Sequence, residues 1–507
     1  MGSADSRAVA REPAPPTPAP AAGPLAPPLE AGATIVGTTG NDYIGPNSPG
    51  GKPSTTTGND QVRGLAGNDY IDGWLGDDRL DGGDGNDTLL AGEGSDTLYG
   101  GAGHDELQLQ VTVDPLHPDD DVARAYGGTG NDTIEAFEGF YPGGRGASGT
   151  FDGGADDDRL VIWARQRADL DTRVLGGDGQ DSLEVSVVAG PGQVVVDGGA
   201  GDDVLMVDCF DPFPTWSGSG SQTLVTGGLG NDQIAIRASN LLGSAIDVDA
   251  GDGNDTVAMS YVNDGGVSIG LGAGNDSLDL YFTNDIAVTA GAGADQVQVG
   301  NSVGVAVNAG SGNDRIFLDA TQATVTTGAG RDTVFASSSH GADTVRASTV
   351  KDFTAGDGGD RLDLDGVNAL LGLSAGSDPF ADGRARMEQG SQGALLTVNT
   401  ADGGGSAQWV TVLILKGVAV SSLTPDNFVQ AVSPPAGEAP IIAGHGLIDL
   451  GPLGEALAPV AQDTGGGAHG TLSWQQAFSH APGGELDLSA LEGGAPAAAG
   501  AAGAAAG

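Results

Sequence analysis

Aspartates that recur every nine residues are the part of this sequence best suited to chemistry. Each closes a glycine-rich turn, as in GGDGNDTLL (82–90), and they are Asp60, Asp69, Asp78, Asp87, Asp96 and Asp105. Glycine permits positive φ and lets backbone carbonyls crowd together without a Cβ in the way. A carboxylate among carbonyl oxygens supplies the hard oxygen ligands that Ca²⁺ prefers. The spacing therefore predicts a series of calcium sites.

Ordinary turns and phosphate loops account for these phrases less well than calcium loops do. Clusters of Gly, Asn and Asp form ordinary turns, but turn chemistry does not require a fixed nine-residue register. A glycine-rich phosphate loop needs a strand, a helix and usually Lys or Arg. The phrases here are acidic and carry no helix signal, which favours calcium.

Each phrase also contains the element that positions its aspartate. A turn is followed by a short strand such as Thr88-Leu89, whose large apolar residue must point inward. Nine residues then make half a coil, so phrases eighteen residues apart stack on the same edge. This predicts one edge with Asp60, Asp78 and Asp96, and an opposite edge with Asp69, Asp87 and Asp105.

An earlier aspartate extends this arrangement toward the N-terminus. Asp42, in GTTGNDYI (37–44), lies eighteen residues before Asp60 and is predicted to belong to the same edge. Its partner on the opposite edge would fall near Gly51, where GPNSPGGKP (45–53) has lost the ligand.

From residue 127 the phrase returns once per longer unit. Its aspartates there are Asp132, Asp158, Asp181, Asp203, Asp232, Asp255, Asp276, Asp295, Asp314 and Asp332. The intervening segments alternate apolar and polar residues, as in QVVVD (193–197) and AIDVD (245–249), which predicts half-buried strands. We expect one calcium loop per full coil, and plain turns such as YVNDG (261–265) and FTNDI (282–286) on the opposite edge.

The nonapeptide is that of a known repeat, the calcium-binding parallel β-helix repeat of RTX proteins, and the segment resembles an RTX calcium β-roll. The resemblance implies that each ion sits between successive loops on one edge, held by Asp side chains and loop carbonyls. The implied ligands of these Ca²⁺ ions are Asp42, Asp60, Asp69, Asp78, Asp87, Asp96, Asp105, Asp132, Asp158, Asp181, Asp203, Asp232, Asp255, Asp276, Asp295, Asp314 and Asp332.

A second resemblance covers the region after residue 350. VKDFTAGDGGDRLDLDGV (350–367), WVTVLILKGV (409–418) and LTPDNF (423–428) resemble the C-terminal target domain of type I secretion substrates. This implies a β-rich cap on the repeats. It also implies the type I secretion machinery as a partner.

These patterns predict an all-β fold, a parallel β-roll and β-solenoid with a β-rich C-terminal cap and flexible termini. The expected segments are a Pro/Ala-rich disordered arm (1–33), a calcium β-roll (34–108), an irregular and then regular solenoid with one calcium loop per coil (109–346), the cap (347–432) and a Gly/Ala-rich flexible tail (433–507).

Composition restricts the partners. The formal charge of −48, from 68 acidic and 20 basic residues, repels nucleic acid and anionic membranes and attracts divalent cations. No run of 18 apolar residues spans a membrane. Carboxylates that repel one another and glycines that cost entropy on ordering predict an apo chain that folds when calcium binds, after export. We expect a secreted protein, extracellular or at the cell surface.

Nothing in the sequence favours an enzyme. No HExxH zinc helix is present. GLSAG (372–376) matches a nucleophile pattern at Ser374, but in a loop of a β cap rather than a strand-to-helix elbow. Acidic runs at 119–121 and 156–158 lack an aromatic-lined cleft. Cys209, the single cysteine, is interpreted as a small apolar side chain.

The interpretation that follows is a structural or adhesive protein that presents a calcium-stapled rod in a surface layer or matrix. Self-association is one way to build such a layer. Polysaccharide binding, on the flat solenoid face or through the aromatic loop 209–222, is an alternative. A secreted hydrolase with an unrecognised site in 109–175 is a further one.

Overall fold

The computed structural model describes residues 32–111, 122–138, 148–165, 171–188, 192–210, 222–239, 245–260, 266–319, 321–337, 347–399 and 409–430. All of them lie in a unit that extends from Met1 to His445. The predicted arm up to residue 31, the predicted tail 433–507, the centre of the aromatic loop (211–221), the turn 261–265 and the acidic run 119–121 lie outside the described residues.

Within these residues the chain winds as coils, and each coil contributes one strand to each of two sheets. Alternating apolar residues make such strands half-buried, so that one face of each sheet is inward. The first sheet contains the odd-numbered strands and the end of the cap: β1 (Thr34–Val36), β3 (Gln61–Ala66), β5 (Arg79–Asp84), β7 (Thr97–Ala102), β9 (Val122–Thr129), β11 (Ser148–Ala155), β13 (Thr172–Asp178), β15 (Gln193–Ala200), β17 (Gln222–Leu229), β19 (Ala245–Asp252), β21 (Gly266–Ala273), β23 (Ile286–Ala292), β25 (Val303–Ser311), β27 (Gln322–Thr326), β29 (Ser348–Val350), β31 (Ala385–Gln389), β32 (Gly393–Asn399) and β33 (Trp409–Lys416).

The second sheet contains the even-numbered strands. They are β2 (Tyr43–Ile44), β4 (Tyr70–Asp72), β6 (Thr88–Leu90), β8 (Glu106–Val111), β10 (Thr133–Glu138), β12 (Arg159–Arg165), β14 (Ser182–Val188), β16 (Val204–Phe210), β18 (Gln233–Ser239), β20 (Thr256–Ser260), β22 (Ser277–Tyr281), β24 (Gln296–Gly300), β26 (Arg315–Asp319), β28 (Thr333–Ser337) and β30 (Arg361–Asp363).

Equivalent strands of successive coils pair in parallel. Gln61 pairs with Arg79 in the first sheet, and Tyr70 pairs with Thr88 in the second, so these coils are eighteen residues long as the nine-residue phrase predicts. Later coils lengthen, up to the twenty-nine residues that separate Asp203 from Asp232. The extra residues lie in the connections, because the register of the strands is unchanged.

The core is one layer of side chains between the two sheets. In the first coils each strand contributes a single large inward residue, such as Leu80 and Leu98 from one sheet and Ile71 and Leu89 from the other, all fully buried.

Longer strands add a second and then a third inward row, as with Leu205, Val207 and Cys209 of β16. Cys209 lies in the third row, with its thiol 3.9 Å from Thr223 Oγ1. Burial raises the pKa of this thiol to about 12, which agrees with the interpretation as a small apolar side chain.

The last three strands, β31 to β33, are each antiparallel to the next, unlike the parallel strands of the coils. The strand β33 pairs in parallel with β29 and antiparallel with β32, and β32 pairs antiparallel with β31. The structure also contains short helical segments. A six-residue helix, α1 (Asp365–Leu370), packs on β28, and 3₁₀ turns occupy Pro49–Gly51, Val420–Ser422 and Pro425–Asn427. In the part of the chain that the structure describes, no helix is long and apolar enough to cross a membrane.

The prediction of an all-β, parallel β-solenoid is therefore confirmed. The strands predicted from alternating residues are present, since QVVVD (193–197) lies in β15 and AIDVD (245–249) lies in β19.

Candidate metal sites

Two columns of aspartates run along the edges of the solenoid. In each column the backbone N–H of one aspartate donates to Oδ1 of the aspartate one coil later, as from Asp87 to Asp105 at 2.7 Å. The short column is Asp60, Asp78 and Asp96. The long column is Asp42, Asp69, Asp87, Asp105, Asp132, Asp158, Asp181, Asp203, Asp232, Asp255, Asp276, Asp295, Asp314, Asp332 and Asp360.

The prediction for Asp42 was wrong. Its N–H donates to Asp69 Oδ1 at 2.7 Å, and β2 pairs with β4, so Asp42 belongs to the long column and not to the edge of Asp60. The reason is the segment 45–60, which forms one connection from β2 to β3. This connection is longer than a nine-residue half-coil. Its extra residues place Asp42 on the edge opposite to that of Asp60. A missing partner near Gly51 is therefore not needed.

The two oxygens of each column carboxylate differ. While Oδ1 accepts the N–H of the preceding coil, Oδ2 is buried and has no hydrogen-bond partner among the described residues in fourteen aspartates: Asp69, Asp78, Asp87, Asp105, Asp132, Asp158, Asp181, Asp203, Asp232, Asp255, Asp276, Asp295, Asp314 and Asp332. A buried acceptor without a partner costs about 1–3 kcal/mol, more when charged. Such oxygens need either a proton or a cation.

Backbone carbonyls accompany these oxygens in many coils. A Cβ placed on Gly198 would lie 2.5 Å from Asp203 Oδ2 and 2.7 Å from the carbonyl oxygen of Gly227. Glycine at this position, five residues before the aspartate, keeps the space between a carboxylate oxygen and a carbonyl oxygen open. From Asp255 onward this position holds a side chain, as at Ala250 and Leu271, and Oδ2 still lacks a partner among the described residues.

Burial makes these carboxyl groups hard to ionise. It is the largest cause in every case, opposed by the backbone N–H that donates to Oδ1. The pKa rises to about 8 at Asp78 and Asp158. It rises to about 7 at Asp203, Asp276 and Asp332, and to about 6 at Asp87, Asp105, Asp132, Asp181, Asp232 and Asp314. A bound divalent cation would reverse this preference by favouring the carboxylate.

The first aspartate of each column is already satisfied by the protein. Asp42 Oδ2 accepts from the N–H of Thr38 at 2.6 Å and Oδ1 lies 3.1 Å from Lys52 Nζ. The side-chain and backbone hydrogen bonds of Thr38 hold the pKa of Asp42 below its usual value. Asp60 accepts from the N–H and hydroxyl of Thr56 at 2.6 and 2.8 Å. These two carboxylates have the least need of a cation.

Sequence reasoning missed the last member of the long column. Asp360 Oδ1 accepts from the N–H of Asp332 at 3.1 Å, and Oδ2 accepts from the N–H of Thr354 at 2.8 Å and the hydroxyl of Thr327 at 3.2 Å. The phrase GDGGDRLDL (356–364) carried the signal, because its Gly-Asp and following Leu match the repeat.

An outer ladder of polar side chains was also missed. The residue before the column aspartate accepts, through its side chain, the N–H of the equivalent residue one coil later, as from Asn86 to Asn68 at 3.1 Å and from Asn254 to Asn231 at 2.9 Å. Repeated Asn-Asp pairs were the available signal. The ladder joins coils without any cation.

The ligand set favours a calcium-like ion over zinc. Among the described residues no three His, Cys, Asp or Glu side chains are grouped to hold a metal. A cation beside Oδ2 would therefore take most of its ligands from backbone carbonyls. Calcium accepts six to eight oxygen ligands of this kind, whereas zinc sites use Cys and His.

A comparison with family models agrees with this chemistry. The model of the RTX calcium-binding nonapeptide repeat matches residues 54–89, 81–108, 120–139, 186–208 and 307–340. The chain therefore carries RTX-type calcium-binding repeats. RTX repeats bind calcium, so the predicted cofactor, several Ca²⁺ ions, is confirmed. Neither a comparison with curated proteins nor one with solved structures found a match.

Ser374, Asp156 and Asp157, which were weighed as catalytic residues from the sequence, lie in a turn and in a repeat loop. Ser374 is exposed in a turn after α1, not at a strand-to-helix elbow. Asp156 and Asp157 are exposed in the loop before Asp158. His104 belongs to the outer ladder, where its Nδ1 accepts the N–H of Asn131 at 2.9 Å.

Proposed function

We propose that this chain is a secreted protein whose solenoid becomes an ordered rod when calcium binds along its edges. Its role is structural or adhesive at the cell surface or in the matrix. The single observation that carries this proposal is the long column of buried Oδ2 atoms without a hydrogen-bond partner among the described residues. Extracellular calcium modules bind at about 10⁻⁴–10⁻³ M, which leaves them empty in the cytosol and filled outside.

We assign the ligands accordingly. The fourteen aspartates with a partnerless Oδ2 are the calcium ligands, each with carbonyl oxygens of its own and the neighbouring loop. Asp42 and Asp60, whose oxygens already accept hydrogen bonds from Thr38 and Thr56, are structural ends of the columns. Each ion lies between two coils, so its binding free energy stabilises the contact between them, which the thin core stabilises only weakly.

The C-terminal region supports the same role. Its antiparallel strands and the segment 424–430 end the solenoid, as a repeat array requires. We propose that this cap, like the region it resembles, directs export by type I secretion.

The test is the hydrodynamic radius and mass of the full chain, measured by size-exclusion chromatography with light scattering from calcium-free buffer to millimolar calcium. We expect an expanded chain to become compact, and growth into ordered multimers at higher calcium would support a layer or matrix. A radius that does not change with calcium would overturn the assignment of the aspartates. Magnesium at the same concentrations is the control, because it keeps its water and requires octahedral geometry.

A further inference from the structure

We propose that the outward face of the first sheet, between β5 and β13, binds an acidic polysaccharide that carries a carboxylate on every second sugar. This inference rests on the proposed adhesive role, for which it supplies the contact. The surface consists of Arg79, Arg124, Arg173, Tyr99 and Tyr126 and is called the Arg–Tyr face below.

The three arginines lie in one column across the strands. Arg79 pairs with Thr97, Thr97 with Arg124, Arg124 with Thr150, and Thr150 with Arg173. An arginine therefore occupies every second coil and a threonine the coil between. Because neighbouring strands are about 4.8 Å apart, successive arginines are separated by about 9.6 Å. All three arginines are exposed.

Two tyrosines lie beside this column, two residues further along their strands. Tyr99 pairs with Tyr126, and their rings stack with centroids 5.1 Å apart. The guanidinium of Arg79 covers the ring of Tyr99 at 4.0 Å from its centroid. A stacked guanidinium is held in place, so less rotamer entropy is lost when it binds a ligand. Both tyrosines are half-buried, and their hydroxyls can take part in hydrogen bonds.

The Arg–Tyr face groups three basic side chains in a chain that is strongly acidic. Only 20 of the 88 formally charged groups are basic. Arg124 and Arg173 form no ion pair with another described residue, although the field of Arg173 lowers the pKa of Asp197 against the larger effect of burial. The nearby Asp81 already has a partner, because its carboxylate lies 3.7 Å from Arg63. Asp152 pairs with Tyr126 in the tyrosine column, and Asp84 and Asp178 lie exposed at the ends of β5 and β13.

The spacing of the three arginines fits an acidic polysaccharide better than a nucleic acid. Guanidinium groups bind carboxylates in bidentate pairs, and one group per about 9.6 Å fits a polymer with one carboxylate per disaccharide. A nucleic acid carries a charge every ~1.7 Å along a duplex, and the −48 charge of the chain would repel it. A polymer of low charge density is repelled less. Its sugar hydroxyls can form hydrogen bonds with the hydroxyls of the half-buried tyrosines and threonines.

The experiment measures binding of short hyaluronan oligosaccharides to the full chain in millimolar calcium by titration calorimetry. Hyaluronan is the probe because its carboxylates stand on alternate sugars. We expect Arg124→Gln, which removes the central arginine, to weaken binding at least about fivefold. The matched control is Arg159→Gln, which removes an exposed arginine from the opposite sheet and should leave binding unchanged.

Further ligands separate the sources of affinity. Chitin oligosaccharides carry no carboxylate and should not bind. The proposal would be overturned if Arg124→Gln bound chondroitin sulfate as tightly as the unchanged chain does. It would also be overturned if this variant bound hyaluronan with undiminished affinity. A third outcome would also overturn it, namely that this face binds a second copy of the chain. In that case the particle mass in solution, measured without sugar, would be lower for Arg124→Gln than for the unchanged chain.

The outcome is distinguishable from failure of the proposed function. Circular dichroism across a calcium titration reports whether the chain and both variants fold. A chain that folds with calcium but ignores hyaluronan contradicts only the Arg–Tyr face. A chain that ignores calcium contradicts the proposed function itself.

Discussion

At the scale of single residues, the two oxygens of each column aspartate have separate tasks. Oδ1 accepts a backbone N–H from the preceding coil, which fixes the register between coils. Oδ2 is left for a cation beside carbonyl oxygens. A carboxamide preserves the first task and abolishes the second, because its nitrogen cannot ligate calcium.

Asp87→Asn tests this division. The amide oxygen can still accept the N–H of Asp69, which donates to Asp87 Oδ1 at 2.7 Å. We expect the fold at saturating calcium to persist and the calcium midpoint to rise about tenfold, equivalent to about 1.4 kcal/mol. Circular dichroism across a calcium titration measures both quantities.

The matched control is Asp84→Asn in the same loop. Asp84 is exposed, and its backbone carbonyl rather than its side chain accepts the N–H of Gly67. The change in net charge is the same, so equal shifts for the two variants would mean that general repulsion, and not ligation by Asp87, sets the midpoint.

Glycine five residues before the aspartate gives a second residue-scale prediction. Gly198→Ala places a methyl group 2.5 Å from Asp203 Oδ2, and we expect a loss of about 1–3 kcal/mol in the free energy of unfolding in calcium. Gly270→Ala is the control, since the nearest atom to its Cβ would lie 3.8 Å away. Denaturant unfolding that finds the two variants equally stable would contradict a crowded site at Gly198.

At the scale of elements, one side chain of the segment 424–430 joins that segment to the loop 354–360, which contains the last aspartate of the long column. Asn427 is fully buried. Its Oδ1 accepts the N–H groups of Gly356 and Thr424 at 2.8 and 2.9 Å. Its Nδ2 donates to the carbonyls of Asp360 and Gly356 at 2.8 and 3.2 Å. An amide nitrogen thus satisfies carbonyl oxygens beside Asp360, at the end of the long column.

Asn427→Asp should loosen this junction. The variant keeps an acceptor for the two N–H groups but sets a carboxylate oxygen against the two carbonyl oxygens. Each hydrogen bond lost in a buried site costs about 1–3 kcal/mol. We expect faster amide exchange over residues 354–364, measured by mass spectrometry in millimolar calcium, with exchange in the first coils unchanged.

The neighbouring Asp426→Asn is the control for that experiment. Asp426 pairs with Arg331 at 2.9 Å, but both side chains are more than a third exposed, and such pairs contribute about 0–1 kcal/mol. Asp426 also accepts the N–H of Gly358 at 2.7 Å, which the amide oxygen of the variant can still accept. If this variant accelerates exchange as much as Asn427→Asp does, then the buried amide is not what holds the cap.

The period of the sequence predicted the solenoid, the inward Leu89 and the stacking of Asp60 on Asp78, because each depends on neighbouring coils of equal length. The edge of Asp42 could not be predicted, since counting residues assumes half-coils of nine and the segment 45–60 breaks that count. The roles of Asn427 and Arg124 could not be predicted from the sequence either. Their partners are set by pairing between distant strands and loops, not by local pattern.

At the scale of the whole molecule, a core one side chain thick must hold many buried carboxyl groups. Each inward Leu or Ile contributes about 1.5–3 kcal/mol of burial, and the glycine-rich turns oppose it with ordering entropy. Without calcium, the raised pKa values of the column aspartates mean that ionised carboxylates disfavour the folded state. Protons and calcium are then alternative ways to stabilise the same coils.

The sign of the pH dependence follows from the direction of these shifts. Burial raises the pKa to about 6 at Asp87 and about 8 at Asp78, above the value near 3.9 of an unfolded chain. A raised folded-state pKa contributes stability that is full below pH ~4 and is lost as the pH rises through ~6 to ~8. In calcium-free buffer we therefore expect a smaller hydrodynamic radius and more strand at pH 5 than at pH 8. Calcium at pH 8 should restore the compact form.

General charge repulsion also falls at low pH, and salt separates the two causes. Added sodium chloride at pH 8 screens repulsion between exposed carboxylates, but it does not remove the cost of burying an ionised one. We expect salt at pH 8 to compact the chain less than a change to pH 5 does. Equal compaction by salt and by acid would show that net charge, rather than the buried aspartate columns, keeps the calcium-free chain expanded.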